Sequence, residues 1–338
     1  MKYIVCETPG KFVLKEKEPP IRKEGEALVR ILKIGICGTD LHAFRGRQPF
    51  FEYPRILGHE LAAEIIEIDA NNKGLKKGDK VIIMPYLSCG QCIACRNEKT
   101  NCCTQLKVLG VHTDGGMQEI MSLPINILIP GKSLATEAMA LVEPLSIGAH
   151  CIRRAAIKSG ETVLVVGAGP IGLGILKQAQ LAGARVISMD INQQRLSWVA
   201  ENLGNITTIN ALNNPLESIL SINNGELPTV VVDATGNKKA LESGVEYMAH
   251  GGKYVLVGLT KGNLTFHNPS IQKKETTLLC SRNATPEDFQ QVIDILEKDL
   301  FPWKAYITHR VNFADMLHHF ESWTEPKSGV IKAMITLS

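Results

Sequence analysis

The chain has little excess charge of either sign. Its 338 residues carry 37 basic and 34 acidic side chains, a formal net charge of +3. So even a balance supplies no strong electrostatic field, which argues against nucleic acid and membrane surfaces as partners. No apolar run reaches the ~18 residues of a membrane span. The opening segment MKYIVCETPGKFVLKEKEPP lacks the long apolar core of a signal peptide. Internal repeats and low-complexity tracts are missing as well. These absences leave a soluble, cytoplasmic globular protein as the expectation. A hydrophobic content of 44% with 21% charged residues is ordinary for that class, and the length suggests about two domains. A dispersed disulfide framework is also lacking. There are nine cysteines, an odd count, and five of them lie between Cys89 and Cys103, which points to a metal instead.

What is present begins with Thr162 to Asp190, TVLVVGAGPIGLGILKQAQLAGARVISMD. An apolar β-branched run ends in Gly167-Ala168-Gly169-Pro170-Ile171-Gly172. A helical pattern, a second apolar run and Asp190 follow. Strand, glycine turn, helix, strand and acid is the order of a dinucleotide site. Gly167 permits a tight turn and Gly169 a close approach of the backbone to a pyrophosphate. Gly172 permits close helix–strand packing, so that the helix N-terminus faces the phosphates. An ordinary βαβ crossover shares the glycines but does not require the acid. A carboxylate at Asp190 can accept from both ribose hydroxyls and repels a 2′-phosphate, which favours NAD over NADP. Ile191-Asn192 adds no positive charge. Arg195 is either an adenine-side contact or a solvated helix residue. Val257-Gly258 closes a sheet strand where the nicotinamide is expected.

Around this unit the pattern changes. Residues 2–35 read as short strands separated by turns, and strands recur at 56–69, 80–84 and 118–129. The period is helical from Leu134 to Ala156, with Pro144 near a helix start. Strands and helices alternate over 162–281, the rhythm of a doubly wound parallel sheet. Thr285-Pro286-Glu287-Asp288 reads as a helix start. A helix near 313–323 and a strand over Val330–Thr336 close the chain.

Two constellations suit metal. Cys89, Cys92, Cys95 and Cys103 give C-x2-C-x2-C-x7-C. Four thiolates fill a tetrahedron and leave no place for water, so a zinc there is structural. Disulfides or an iron–sulfur cluster share the spacing, and Cys102 competes with Cys103 for the fourth position. The second set is scattered: Cys37, His59, Glu60 and Glu143. One thiolate, one imidazole and one or two carboxylates suit a catalytic zinc with an open position. Singly, each has a plainer role: a core thiol, a turn histidine, or an acid favoured at a helix N-terminus.

Taken in order, Cys37-Gly38-Thr39-Asp40-Leu41-His42, Gly58-His59-Glu60, the cysteine lobe (88–104), Asp114-Gly115-Gly116, Glu143-Pro144-Leu145 and the GAGPIG loop resemble the zinc-dependent medium-chain alcohol dehydrogenases over essentially the whole chain. The pairing of GHE with EP is similar to the polyol, threonine and sugar-acid branch. The stretches Gln48-Pro49-Phe50-Phe51-Glu52-Tyr53-Pro54-Arg55, Lys273–Thr277 and Ser281–Phe289 resemble the bacterial L-galactonate 5-dehydrogenases. The family implies an α/β fold with a GroES-like β-rich catalytic domain over 1–146 and 286–338 and a Rossmann doubly wound parallel sheet over 147–285. It implies two zinc ions and NAD as cofactors. Cys37, His59 and Glu143 would hold the catalytic zinc, with Glu60 either a direct ligand or a neighbouring carboxylate. Asp40 would orient the histidine, and Thr39 and His42 would relay the proton. Lys332 matches a position that contacts the cofactor pyrophosphate. Gly38 departs from relatives with a basic residue there, so that phosphate contact is not expected.

The expected reaction is oxidation of a secondary alcohol of a sugar acid or polyol, with a hexonate at C5 preferred. L-threonine and neutral polyols are the rival substrates. Arg45, Arg47, Lys273, Lys274 or Arg282 could meet a carboxylate, and Gln48, Tyr53 or Asn283 a hydroxyl; each also suits a surface role. A zinc-stabilised binding protein without chemistry would not need Thr39, His42 and the full ligand set. Relatives imply a homodimer or homotetramer.

Overall fold

The computed structural model describes residues 1–48 and 51–337; Pro49 and Phe50, part of one stretch quoted above, lie outside the described residues. The chain divides into two compact units, Met1–Glu143 with Thr285–Ser338, and Pro144–Ala284.

The first unit centres on one long strand, Glu26–Ile36. Buried Ala27, Val29, Ile31 and Ile34 line its inner face. Antiparallel partners flank it: Glu60–Glu67 on one side and Lys332–Thr336 on the other, with Ile120–Pro124 along its first half. The seven-stranded sheet runs Ile307–Asn312, Lys332–Thr336, Glu26–Ile36, Glu60–Glu67, Lys80–Ile83, Leu128–Pro130, and Ile120–Pro124 pairs off this path. The closing strands therefore complete a sheet begun near the N-terminus. This is the GroES-like, β-rich part of the fold. Its core gathers Ile4, Ile31, Ile65, Val81 and Ile335 with Phe320, whose ring meets Phe12 edge to face at 4.7 Å.

The second unit is a six-stranded parallel sheet ordered Thr207–Asn210, Arg185–Asp190, Thr162–Val166, Val230–Asp233, Lys253–Leu256, Thr277–Cys280. The strand first in sequence lies in the middle, and the order reverses beside it. That is the Rossmann arrangement, whose ligand crevice lies at the carboxyl ends of the strands at this reversal. The central runs Thr162–Val166 and Val230–Asp233 are apolar and buried, as strands covered on both faces are, and Leu164, Ile187, Ile209, Val231 and Tyr254 share one cluster.

Local chemistry sets the element ends. The stretch 134–156 forms two helices, Thr136–Ala140 and Val142–Ala155, with Pro144 in the first turn of the second. The helix Pro286–Glu297 opens as its sequence suggests: the Asp288 carboxylate accepts from the Thr285 N–H at 2.8 Å and hydroxyl at 2.9 Å. The last helix is shorter than expected, Met316–Trp323, and the final strand starts at Lys332.

Candidate metal centres and dinucleotide loop

Cys89, Cys92, Cys95 and Cys103 bring one ligand atom each to within 4.8 Å of one another. A single helical turn, Ile93–Arg96, places Cys92 and Cys95 at its two ends. Backbone N–H groups point at the sulfurs: Cys89 and Gln105 donate to Cys103 Sγ at 3.3 Å, and Cys92 donates to Cys89 Sγ at 3.4 Å. Such donors favour thiolate over thiol. The Cys95 and Thr104 backbone groups draw Cys92 down to about 5, while burial pushes Cys95 up to about 11. The choice between neighbours falls on Cys103, which is buried; Cys102 is exposed and outside the cluster.

The scattered set also converges. Cys37, His59 and Glu60 form a second group with ligand atoms within 4.8 Å. Cys37 stands just before the helix Gly38–Phe44. Asp40 in its first turn is fully buried and braces two loops, accepting from the Cys37 N–H at 2.9 Å and the Gly58 N–H at 3.3 Å. Its carboxylate lies 3.7 Å from His59 Nδ1, a buried nitrogen without a hydrogen-bond partner among the described residues. Burial disfavours the imidazolium, yet the charges of Asp40 and Cys37 outweigh it and raise the His59 pKa well above the usual histidine value. The pocket thus favours positive charge. Glu143, second residue of its helix, joins from the side. The Tyr86 hydroxyl donates to Glu143 Oε1. Burial, against the pull of His59, pushes the Glu143 carboxyl up to about 7. Cys37, Asp40, Glu60 and Glu143 face one imidazole and one ammonium, a donor set that fits a divalent cation with nitrogen, sulfur and oxygen ligands.

That ammonium is Lys332, the residue expected at the cofactor pyrophosphate. Its side chain is 1% exposed, and Nζ donates to Glu60 Oε1 at 2.6 Å, Glu60 Oε2 at 2.7 Å and the Ile36 carbonyl at 3.0 Å. An ammonium has three donors, and all three are engaged here. Burial lowers the lysine pKa, but Glu60 more than offsets it, and Lys332 stays protonated. Removing one member of so buried a pair costs about 3–5 kcal/mol.

Thr39 and His42 lie on the helix Gly38–Phe44, three residues apart and on one face, Thr39 half-buried and His42 exposed. Among the substrate candidates, Lys274 is withdrawn: its ammonium bonds the carbonyls of Val245, Glu246 and Met248 at 2.8, 3.2 and 2.7 Å. Arg45 pairs with Glu325, and the Tyr53 hydroxyl donates to the Ala43 carbonyl. Arg47, Lys273 and Arg282 are exposed. Gln48 Oε1 and Asn283 Nδ2 are buried polar atoms without partners among the described residues.

In the second unit, Gly167 turns at φ +100°. A Cβ at Gly172 would lie 1.8 Å from the Gly167 carbonyl, so only glycine allows the helix to start there. Gly169 precedes Pro170 and Ile171 at the start of the helix Pro170–Leu181, and its Cα faces open space except for Arg195. The N–H groups of a helix's first turn are the donors a phosphate would need there. Asp190 ends its strand and accepts from the Ala168 N–H at 2.6 Å and the Asn192 N–H at 2.8 Å, with Arg195 at 3.9 Å. The N–H groups of Val257 and Gly258 both donate to the Asp233 carbonyl at 3.0 Å, which fixes the end of the neighbouring strand.

Two residues escaped the sequence reading. Tyr86 and Gly35 carry no motif; only the fold brings them to Glu143 and Glu60.

Comparison with known proteins follows this geometry. A profile of the alcohol dehydrogenase GroES-like domain matches residues 23–133, and one of the zinc-binding dehydrogenases matches 170–298. The chain belongs to the zinc-type alcohol dehydrogenases. As a member of that family it is an oxidoreductase acting on CH–OH groups. It is similar to L-galactonate-5-dehydrogenase of Escherichia coli K12, 43% identical over 337 residues and 99% of each chain. It is 31% identical to L-threonine 3-dehydrogenase of Pyrococcus horikoshii, over 95% of this dehydrogenase and 94% of that one. A short chain alcohol dehydrogenase from E. coli CFT073, solved in complex with cofactor NADH, superposes with a TM-score of 0.92 at 31% identity, covering 100% and 99% of the two chains. Among the described residues, no helix is long and apolar enough to cross a membrane.

Proposed function

We propose that this dehydrogenase oxidises a secondary hydroxyl of a hexonate, at C5 of an L-galactonate-like sugar acid, with NAD as acceptor. The observation that carries the substrate is the 43% identity to L-galactonate-5-dehydrogenase across 99% of both chains. Cofactor choice rests on Asp190, whose carboxylate suits ribose hydroxyls and opposes a 2′-phosphate.

Cys37 and His59, with Glu60 or Glu143, would hold a catalytic zinc, and Cys89, Cys92, Cys95 and Cys103 a structural one. When bound, the catalytic ion supplies Lewis acidity that eases loss of the alcohol proton, and NAD supplies the hydride acceptor. Asp40 keeps His59 oriented for this role. The Thr39 hydroxyl would take the alcohol proton while giving up its own towards His42, and exposed His42, one helical turn on, would accept that proton and release it to solvent. Gly167, Gly169 and Gly172 would seat the pyrophosphate on the helix N-terminus, and Val257 and Gly258 would flank the nicotinamide. Gln48 or Asn283 would meet a substrate hydroxyl, and Arg47, Lys273 or Arg282 its carboxylate.

The reading extends to a GroES-like catalytic domain over 1–146 and 286–338, a Rossmann domain over 147–285, a cytoplasmic setting and a homodimer or homotetramer. The test is a substrate screen of hexonates, neutral polyols and L-threonine with NAD and with NADP, following reduced-cofactor absorbance. Higher kcat/KM on an aldonate than on sorbitol or threonine, with NAD preferred, is the expected outcome. Turnover of threonine or a polyol alone would move the enzyme to that branch.

A further inference from the structure

Glu60 and Lys332 are 272 residues apart in the chain and within 2.7 Å in space. The strand Glu26–Ile36 lies between theirs. Gly35 pairs with Glu60 on one side and with Met334 on the other. The Glu60 side chain passes over Gly35 to reach Lys332. A Cβ on Gly35 would stand 2.1 Å from Glu60 Oε2. The missing side chain is therefore the opening through which carboxylate and ammonium meet. The contact holds both oxygens of Glu60, and the third donor of Lys332 is tied to the Ile36 carbonyl of the central strand. The ammonium cannot follow the carboxylate away without losing that bond. Glu60 is at the same time one of three ligand atoms within 4.8 Å of one another. A cation there and the ammonium of Lys332 compete for the same two oxygens.

We infer that Lys332 is a positioning residue that holds Glu60 back, so that the carboxylate stays a weak, exchangeable neighbour of the metal and leaves one coordination position to substrate. The inference rests on the reading of Cys37, His59 and Glu60 as the catalytic metal centre. It assigns to Lys332 a task inside the catalytic unit. Without the clamp, a buried carboxylate with no other counter-charge turns to the cation beside it. Metal retention then rises as catalysis falls, opposite to the usual loss of both when a supporting residue is removed.

The experiment uses the zinc-loaded full chain in four forms: wild type, Lys332→Met, Glu60→Gln and the double variant. Zinc release from the catalytic site into a chromophoric chelator and the visible spectrum of the Co2+-substituted enzyme are read alongside kcat. Lys332→Met is expected to slow release by about tenfold, to weaken the Co2+ bands as coordination number increases, and to lower kcat. In the Glu60→Gln background the same change is expected to leave release and spectrum untouched and to raise the thermal midpoint, since it removes an unpaired buried cation. Release that is unchanged or faster in Lys332→Met overturns the inference. If that variant does not fold, the Glu60→Gln pair decides alone: altered release or a lowered midpoint there refutes a role exerted through Glu60, and the expected pattern supports it. Wild-type protein carrying zinc at the cysteine lobe only would sink the metal reading and this inference together. Zinc at both sites with an insensitive Lys332 sinks the inference alone.

Discussion

The two metal constellations are built in opposite ways. The four-cysteine lobe is local: its ligands span Cys89 to Cys103, a single helical turn spaces two of them, and backbone N–H groups stabilise the sulfurs. No charged side chain is needed, and four thiolates leave no vacancy. The Cys37 set is assembled from distant segments, and three of its four candidate ligands have a side-chain support of their own. Asp40 faces His59, Lys332 clamps Glu60 and Tyr86 holds Glu143. A site that must only hold an ion can be made from one loop. A site that must bind, release and polarise a substrate needs ligands whose charge and reach are set independently.

The sharpest way to break the comparison is to remove one thiolate from each site. Cys37→Ser is expected to abolish turnover, beyond the ~100-fold that loss of a supporting partner costs. Metal analysis should then show about one zinc per chain instead of about two, with folding retained. Persistent turnover would show that the scattered set is not the catalytic centre.

Cys103→Ser should act on stability instead. Structural zinc contributes folding free energy directly, and a loss of about 3 kcal/mol would lower the thermal midpoint by roughly 6–12 °C. Cys102→Ser, next to it but exposed and outside the cluster, should leave midpoint and metal content unchanged. Equal effects of the two substitutions would contradict the ligand assignment.

What the sequence made legible follows the same division. The cysteine lobe and the glycine loop are short-range, and their residues serve partners a few positions away. Gly172 needs room beside Gly167, and Asp190 receives the Ala168 N–H. Spacing encodes such relations. Cys37 and His59 were legible as candidates through the company they keep, though not as neighbours. The supports were hidden. Tyr86 and Glu143 are separated by 57 residues, Glu60 and Lys332 by 272. Strand order alone brings them together, and strand order across both chain ends has no local signature. Lys332 was read without its partner Glu60 for that reason. Within Val330-Ile331-Lys332 it looks like a cation awaiting a phosphate, whereas the antiparallel pairing of its strand with Glu26–Ile36 turns it inward.

The dinucleotide loop offers a smaller test of what local legibility is worth. Asp190→Asn keeps the shape and removes the charge. An unmet hydrogen bond at a buried group costs about 1–3 kcal/mol, so kcat/KM with NAD should fall roughly tenfold to a hundredfold. Efficiency with NADP should rise, because nothing then repels a 2′-phosphate. Unchanged cofactor preference would remove Asp190 from that role.

The mildest prediction probes a support the sequence did not reveal. The buried Tyr86 ring meets Phe289 edge to face at 6.2 Å, and its hydroxyl donates to Glu143 Oε1. Tyr86→Phe keeps the ring packing and deletes one hydroxyl. Glu143 then loses the donor that holds it, at a site where burial already pushes its carboxyl up to about 7. If Glu143 serves the metal centre, zinc retention and kcat should each fall by roughly tenfold, the lower end of what a supporting partner contributes. Zinc at the cysteine lobe should be unaffected, because no residue is shared between the two sites. A variant with unaltered retention and kcat would make Tyr86 a packing residue only. It would also leave Asp40 and Lys332 as the side-chain supports that distinguish the assembled site from the local one.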